Sequence, residues 1–223
     1  MSSGVSLSGW RLYVIVDRAS CEGRDLAWVA RQAIRGGADV IQLRDKAASA
    51  QALITQARRL LEVTQPAKMP LLINDRVDVA LAAGADGVHL GQEDLPVAAA
   101  RRLLGPGRII GKSSHSLTQA LEADQEELDY LALGPVYPTP TKPDYPPVGL
   151  KLIGEVSARV RHPLVVIGGV DGTTLPEIIA AGATCVAVVR AVCAAEDPEV
   201  AARELKRLMA AGPYGARAGA FPA

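Results

Sequence analysis

Cysteine is scarce in this chain of 223 residues: Cys21, Cys185 and Cys193 are the whole complement. An odd number, with no Cys-x-x-Cys spacing and no paired histidines, excludes a disulfide framework and a zinc site, and the three read as plain thiols rather than nucleophiles. Net charge is also missing, because 24 Lys and Arg balance 24 Asp and Glu. That balance removes the broad basic surface expected of a nucleic-acid binder or an anionic-membrane binder, so any basic site must be local and neither partner is expected. No apolar run reaches the roughly 18 residues of a membrane span. The first nine residues are rich in Ser and Gly and lack both a basic start and an apolar h-region, so the expectation is no secretory signal and a cytoplasmic location. No Ser-His-Asp or Cys-His set is apparent, which turns attention from covalent catalysis to positioning and electrostatic stabilisation. What remains, 49% hydrophobic and 22% charged residues, is ordinary for a globular protein able to bury a sizeable core.

Short apolar runs alternate with longer, Ala-rich amphipathic stretches, as repeated βα units around a parallel sheet require. Strands are expected at 11–17, 39–45, 70–74, 87–90, 108–113, 130–135, 163–168 and 185–190, and helices near 25–35, 49–64, 76–83, 96–104, 117–124, 149–159, 173–181 and 198–210. Eight of each is the count of a (β/α)8 TIM barrel, an α/β fold in a single domain. Three segments repeat one pattern of helix end, turn and strand start: Gly-Gly-Ala-Asp-Val-Ile at 36–41, Gly-Ala-Asp-Gly-Val-His at 84–89 and Gly-Ala-Thr-Cys-Val-Ala at 182–187. In each, Gly supplies the left-handed cap before a parallel strand. A doubly wound open sheet is the competitor, but its G-x-G-x-x-G fingerprint does not follow the first strand. Residues 1–10 read as a flexible lead, 11–210 as the barrel, and 211–223, rich in Gly, Ala and Pro, as a disordered tail.

In such a barrel the working face lies at the C-terminal ends of the strands. The second strand there places Gln42, Arg44 and Lys46 on one side and Ile41 and Leu43 on the other. Cations on an inward face need water or an anion against them. Asp75 and Asp94 close adjacent strands and together suit an oxygen-loving divalent ion such as Mg²⁺ bridging a phosphate. Taken singly, each is equally a helix cap, and Glu93 is an alternative to Asp94. The run Pro138-Thr139-Pro140-Thr141-Lys142-Pro143 offers two hydroxyls and an ammonium to a phosphate, or is a stiff surface loop. Gly168-Gly169 and Val189-Arg190 end the seventh and eighth strands, where barrel phosphate sites recur, although a Gly pair also serves a tight turn. Ser113 takes the inward phase and Ser114 the opposite one, which suits a helix cap. His89, His115 and His162 read as structural. Two anionic subsites, and hence a two-substrate reaction, fit this distribution.

The segments Gln42-Leu43-Arg44-Asp45-Lys46, Asn74-Asp75-Arg76, Gly87 to Asp94, Gly134 to Lys142 and Ile167-Gly168-Gly169-Val170 closely resemble the thiamine-phosphate synthase family. The resemblance spans residues 11–208 and implies Mg²⁺-dependent joining of hydroxymethylpyrimidine pyrophosphate to hydroxyethylthiazole phosphate, with thiamine phosphate and pyrophosphate as products. It implies that Gln42, Leu43, Arg44, Asp45, Lys46, Asn74, Ser113 and Lys142 meet the pyrimidine pyrophosphate, with Arg44, Lys46, Ser113 and Lys142 catalytic. Asp75 and Asp94 would hold Mg²⁺, and Thr139, Pro140, Thr141, Gly169, Val189 and Arg190 the thiazole phosphate. Two positions depart from the family pattern: Lys112, expected small or apolar, and Arg190, where some relatives carry Ser. A barrel that isomerises a thiazole phosphate would need neither the strand-2 cations nor Asp75 and Asp94, and one that only senses a phosphorylated metabolite would tolerate loss of the two aspartates and Lys142.

Overall fold

The computed structural model describes residues 7–140 and 145–212. Eight parallel strands close on themselves in chain order: β1 (Leu12–Asp17), β2 (Val40–Arg44), β3 (Leu71–Asn74), β4 (Gly87–Leu90), β5 (Ile109–Ser114), β6 (Tyr130–Leu133), β7 (Leu164–Ile167) and β8 (Cys185–Val188), with β8 returning to β1. Around them lie α1 (Leu26–Arg35), α2 (Ala50–Thr64), α3 (Val77–Ala83), α4 (Val97–Leu104), α5 (Leu117–Ala123), α6 (Lys151–Ser157), α7 (Leu175–Ala180), α8 (Arg190–Cys193) and α9 (Pro198–Ala211). The architecture is the expected barrel.

Strand alternation sorts the core into two shells. Leu12, Val14 and Val16 of β1, Ile41 and Leu43 of β2 and Leu71 and Ile73 of β3 face the helices in the larger cluster. Tyr13, Ile15, Val40, Leu72, Ile109, Tyr130, Ala132, Val165, Cys185 and Ala187 fill the barrel interior. A 3₁₀ turn at Leu7–Gly9 brings Trp10 under that interior, 6.0 Å from the Tyr13 ring and 5.7 Å from Tyr130, both edge-on. Residues 7–10 of the expected flexible lead thus form an ordered plug, and residues 1–6 fall outside the described residues. Gly111 has no side chain because the Tyr130 ring occupies the space, and a Cβ there would stand 2.0 Å from Tyr130 Cζ.

The repeated pre-strand motif carries more than a glycine cap. Asp39 Oδ2 accepts from the backbone N–H groups of Arg11 (2.7 Å) and Leu12 (2.8 Å), and Asp86 Oδ2 accepts from Leu71 N–H at 2.8 Å. Asp129, outside the Gly motif, does the same for Ile110 at 2.8 Å. Each aspartate just before an even strand thus satisfies an otherwise orphaned donor at the start of the odd strand before it. Gly37 and Gly84, with φ of 98° and 79°, supply the reversal of chain direction that sets the first two in place.

Several boundaries differ from the sequence expectation. Strands β6 and β8 end two residues early, at Leu133 and Val188, and Arg190 opens the short helix α8 instead of ending a strand. The apolar run through Val188 and Val189 carries no breaker, so its periodicity conceals the change from strand to helix. Ser114 is not a helix cap. It ends β5 fully buried, its hydroxyl donating to Ala132 O at 3.0 Å, while Ser116 caps α5 by accepting from Gln119 N–H.

Candidate active site

The inward-facing residues at the C-terminal strand ends line a cavity of about 550 Å³. Gln42 and Arg44 enter it from β2, Asn74 and Asp75 from β3, His89 from β4 and Ser113 from β5. Thr139 and Pro140 follow β6, Gly169 follows β7, and Val189 and Arg190 follow β8. Ten of the residues anticipated from sequence therefore meet in one space. A second hollow of about 220 Å³ adjoins it, and Arg44, Pro140 and Arg190 line both.

Arg44 is held by a residue the sequence reading passed over. Asp17, the last residue of β1 and 2% exposed, accepts from Arg44 Nη1 at 2.5 Å and from the N–H and hydroxyl of Ser20 at 3.0 and 2.8 Å. A buried carboxylate with two such partners fixes the guanidinium at the mouth. Its position at a strand end was the available signal. Lys46 lies outside the cavity lining and is 58% exposed, but its ammonium pairs with Asp75 at the rim. Asp75 itself stands at φ 62°, a conformation costly for a residue with a Cβ and often seen at functional sites.

Asp94 is not a helix cap either. Its Oδ2 accepts from Gly91 N–H at 2.6 Å, and α4, with Pro96 at its cap position, has no side-chain cap. Burial first, and then the adjacent Asp75 carboxyl, raises the Asp94 pKa above the ordinary carboxylate range. Two neighbouring carboxyls with only the Lys46 ammonium beside them suit a hard cation. Among the described residues no cluster of three or more His, Cys, Asp or Glu side chains could hold a metal. A metal on Asp75 and Asp94 therefore needs oxygens from substrate and water.

Some expected residues lie elsewhere. Leu43 is fully buried against the helices because its phase on β2 opposes that of Gln42 and Arg44. Asp45 turns toward α2, where it accepts from Gln56 Nε2 at 3.0 Å. Glu93 is exposed. Lys112 points outward to Glu126 at 2.8 Å, in keeping with its phase opposite Ser113. Thr141, Lys142 and residues 213–223 fall outside the described residues. His162 binds Asp124 on the far side of the fold, as a structural histidine would. His89 and His115, however, line the cavity.

Below the cavity runs a chain of side-chain hydrogen bonds that no local pattern announced. Gln42 Nε2 donates to Tyr13 Oη at 2.5 Å, Tyr13 and Tyr130 hydroxyls meet at 3.0 Å, Tyr130 Oη reaches His89 Nδ1 at 2.8 Å, and His89 Nε2 reaches Ser113 Oγ at 2.8 Å. Burial raises the pKa of both phenols, so each keeps its proton. A phenol proton left without an acceptor in such a place would cost about 1–3 kcal/mol.

A closed barrel with a polar, cation-bearing cavity at the C-terminal face is the architecture of a (β/α)8-barrel enzyme. The chain belongs to the thiamine monophosphate synthase family, whose profile matches residues 12–192. It is 47% identical over 201 residues to the thiamine-phosphate synthase of Chloroflexus aurantiacus, covering 90% of this chain and 93% of the relative. It is 44% identical to that of Shouchella clausii, covering 90% and 96%. The solved thiamine phosphate pyrophosphorylase of Pyrococcus furiosus superposes with a TM-score of 0.82 at 38% identity, covering 89% of this chain and 95% of that one. The protein is accordingly an enzyme of the transferase class. Among the described residues no helix is long and apolar enough to cross a membrane.

Proposed function

We propose that the protein condenses hydroxymethylpyrimidine pyrophosphate with hydroxyethylthiazole phosphate, releasing thiamine phosphate and pyrophosphate. The observation that carries this reading is the convergence, in one cavity, of Arg44, Asn74 and Asp75 with Gly169, Val189 and Arg190. These supply polar groups for both phosphorylated substrates. In the reaction the bond between the pyrimidine methylene carbon and the pyrophosphate oxygen breaks, the thiazole nitrogen lone pair forms the new C–N bond, and no general base is required.

Negative charge grows on the departing pyrophosphate, so Arg44 and Lys46 stabilise it more in the transition state than in the ground state. Asp17 holds Arg44 ready, removing reorganisation from that step. Asp75 and Asp94 would hold Mg²⁺, which when bound would neutralise charge on the leaving group. Lys142 joins the same cations by family resemblance. The thiazole phosphate lies toward Gly168 and Gly169, where Pro135 and Tyr137 leave no room for side chains, with the Arg190 guanidinium beside it.

Calorimetric titration with inorganic pyrophosphate tests the leaving-group site. Binding is expected only with Mg²⁺ present, and Asp75→Asn or Asp94→Asn should weaken it by roughly tenfold or more. Equal binding in a chelator would contradict the metal assignment.

A further inference from the structure

The chain linking Gln42, Tyr13, Tyr130, His89 and Ser113 has a direction. The amide nitrogen of Gln42 can only donate, so Tyr13 Oη accepts from it. Tyr13 is 1% exposed, and among its hydrogen bonds the remaining acceptor for its own proton is Tyr130 Oη, 3.0 Å away. Tyr130, 0% exposed and already accepting, passes its proton to His89 Nδ1 at 2.8 Å. A neutral imidazole with Nδ1 accepting carries its proton on Nε2, which then donates to Ser113 Oγ at 2.8 Å. Ser113 has accepted from the histidine and keeps a hydroxyl proton to give away, and it lines the cavity.

We infer that Tyr13, Tyr130 and His89 are positioning residues that fix the His89 tautomer and thereby present the Ser113 hydroxyl to the cavity as a hydrogen-bond donor. The ligand group that meets it is a hydrogen-bond acceptor, which on a substrate ring is a nitrogen without hydrogen. A ring N–H at the same place would take the remaining Ser113 lone pair and leave the hydroxyl proton without that partner, so it is disfavoured. That the ring is the pyrimidine rests on the function proposed above. The polarity of the chain does not.

The two claims separate by experiment. In ¹⁵N-labelled protein without ligand, the side-chain nitrogen shifts of His89, assigned by their loss in His89→Gln, are expected to show Nδ1 bare and Nε2 protonated near pH 8. An Nδ1-protonated tautomer, or a doubly protonated ring, overturns the inference while leaving the reaction untouched. In kinetics, Tyr130→Phe is expected to raise KM for the pyrimidine substrate about tenfold and to leave KM for the thiazole phosphate unchanged, and adding Ser113→Ala to it should cost much less than Ser113→Ala costs alone. Fully multiplicative losses overturn it. Should Tyr130→Phe fold poorly, the nitrogen shifts of the unaltered protein still decide.

Discussion

Arg44 is useful because Asp17 has already fixed it. A guanidinium free to swing over a polar cavity would have to be ordered as the substrate arrives, whereas the 2.5 Å pair and the two Ser20 contacts on Asp17 order it during folding. Asp17→Asn keeps an acceptor for Ser20 but turns an amide donor toward Arg44. We expect kcat/KM for the pyrimidine substrate to fall by about 30-fold, or about 2 kcal/mol, with KM for the thiazole phosphate unchanged. Steady-state kinetics checks this, and an unaltered kcat/KM would remove Asp17 from the site. The alternation of Gln42, Arg44 and Lys46 was readable in the sequence because strand phase is local. The same rule placed the Leu43 side chain against the helices. Asp17 was readable only as a strand end, since nothing near it in the chain shows that β1 and β2 put it beside Arg44.

At the level of the elements, β3, β4 and α3 illustrate how much periodicity reveals. Four apolar residues, a helix with a Gly after it and a second short run leave little freedom, and their ends match the expectation to within a residue. The four-residue helix α8 was hidden because it continues an apolar run. Registration between distant elements was also hidden. Tyr13 and Tyr130 lie 117 residues apart, and their contact depends on Gly111 of β5 giving up its side chain. Gly111→Ala would drive a methyl group into the Tyr130 ring, and the overpacked interior should lose about 3 kcal/mol of stability. Urea unfolding measures the loss, and an unchanged midpoint would show that the tyrosine layer yields easily.

Across the whole molecule, polar clamps and apolar shells divide the labour of holding the site in shape. Asp124, buried just beyond α5, ties the approach to β7 by accepting from the backbone N–H groups of Arg161 and His162 and from both side chains. Burial alone would raise its pKa, but these hydrogen bonds outweigh burial and lower it below the ordinary carboxylate range. A carboxylate with a lowered folded pKa contributes stability above the unfolded value of about 3.9 and loses it as pH falls through the folded value. Asp124→Asn should therefore cost about 2–3 kcal/mol at pH 7, and its deficit against the parent protein should shrink as pH drops below about 4. Denaturant melts at several pH values test this, and a deficit independent of pH would assign the clamp to geometry rather than charge. With the barrel so held, the central claim is that strand-2 cations and the two aspartates act on a leaving group. The most direct measurement is pyrophosphate release with each component omitted in turn. The expected result is one pyrophosphate per thiamine phosphate, formed only when both substrates and Mg²⁺ are present. Metal-independent conversion of the thiazole phosphate alone, with no pyrophosphate released, would contradict it.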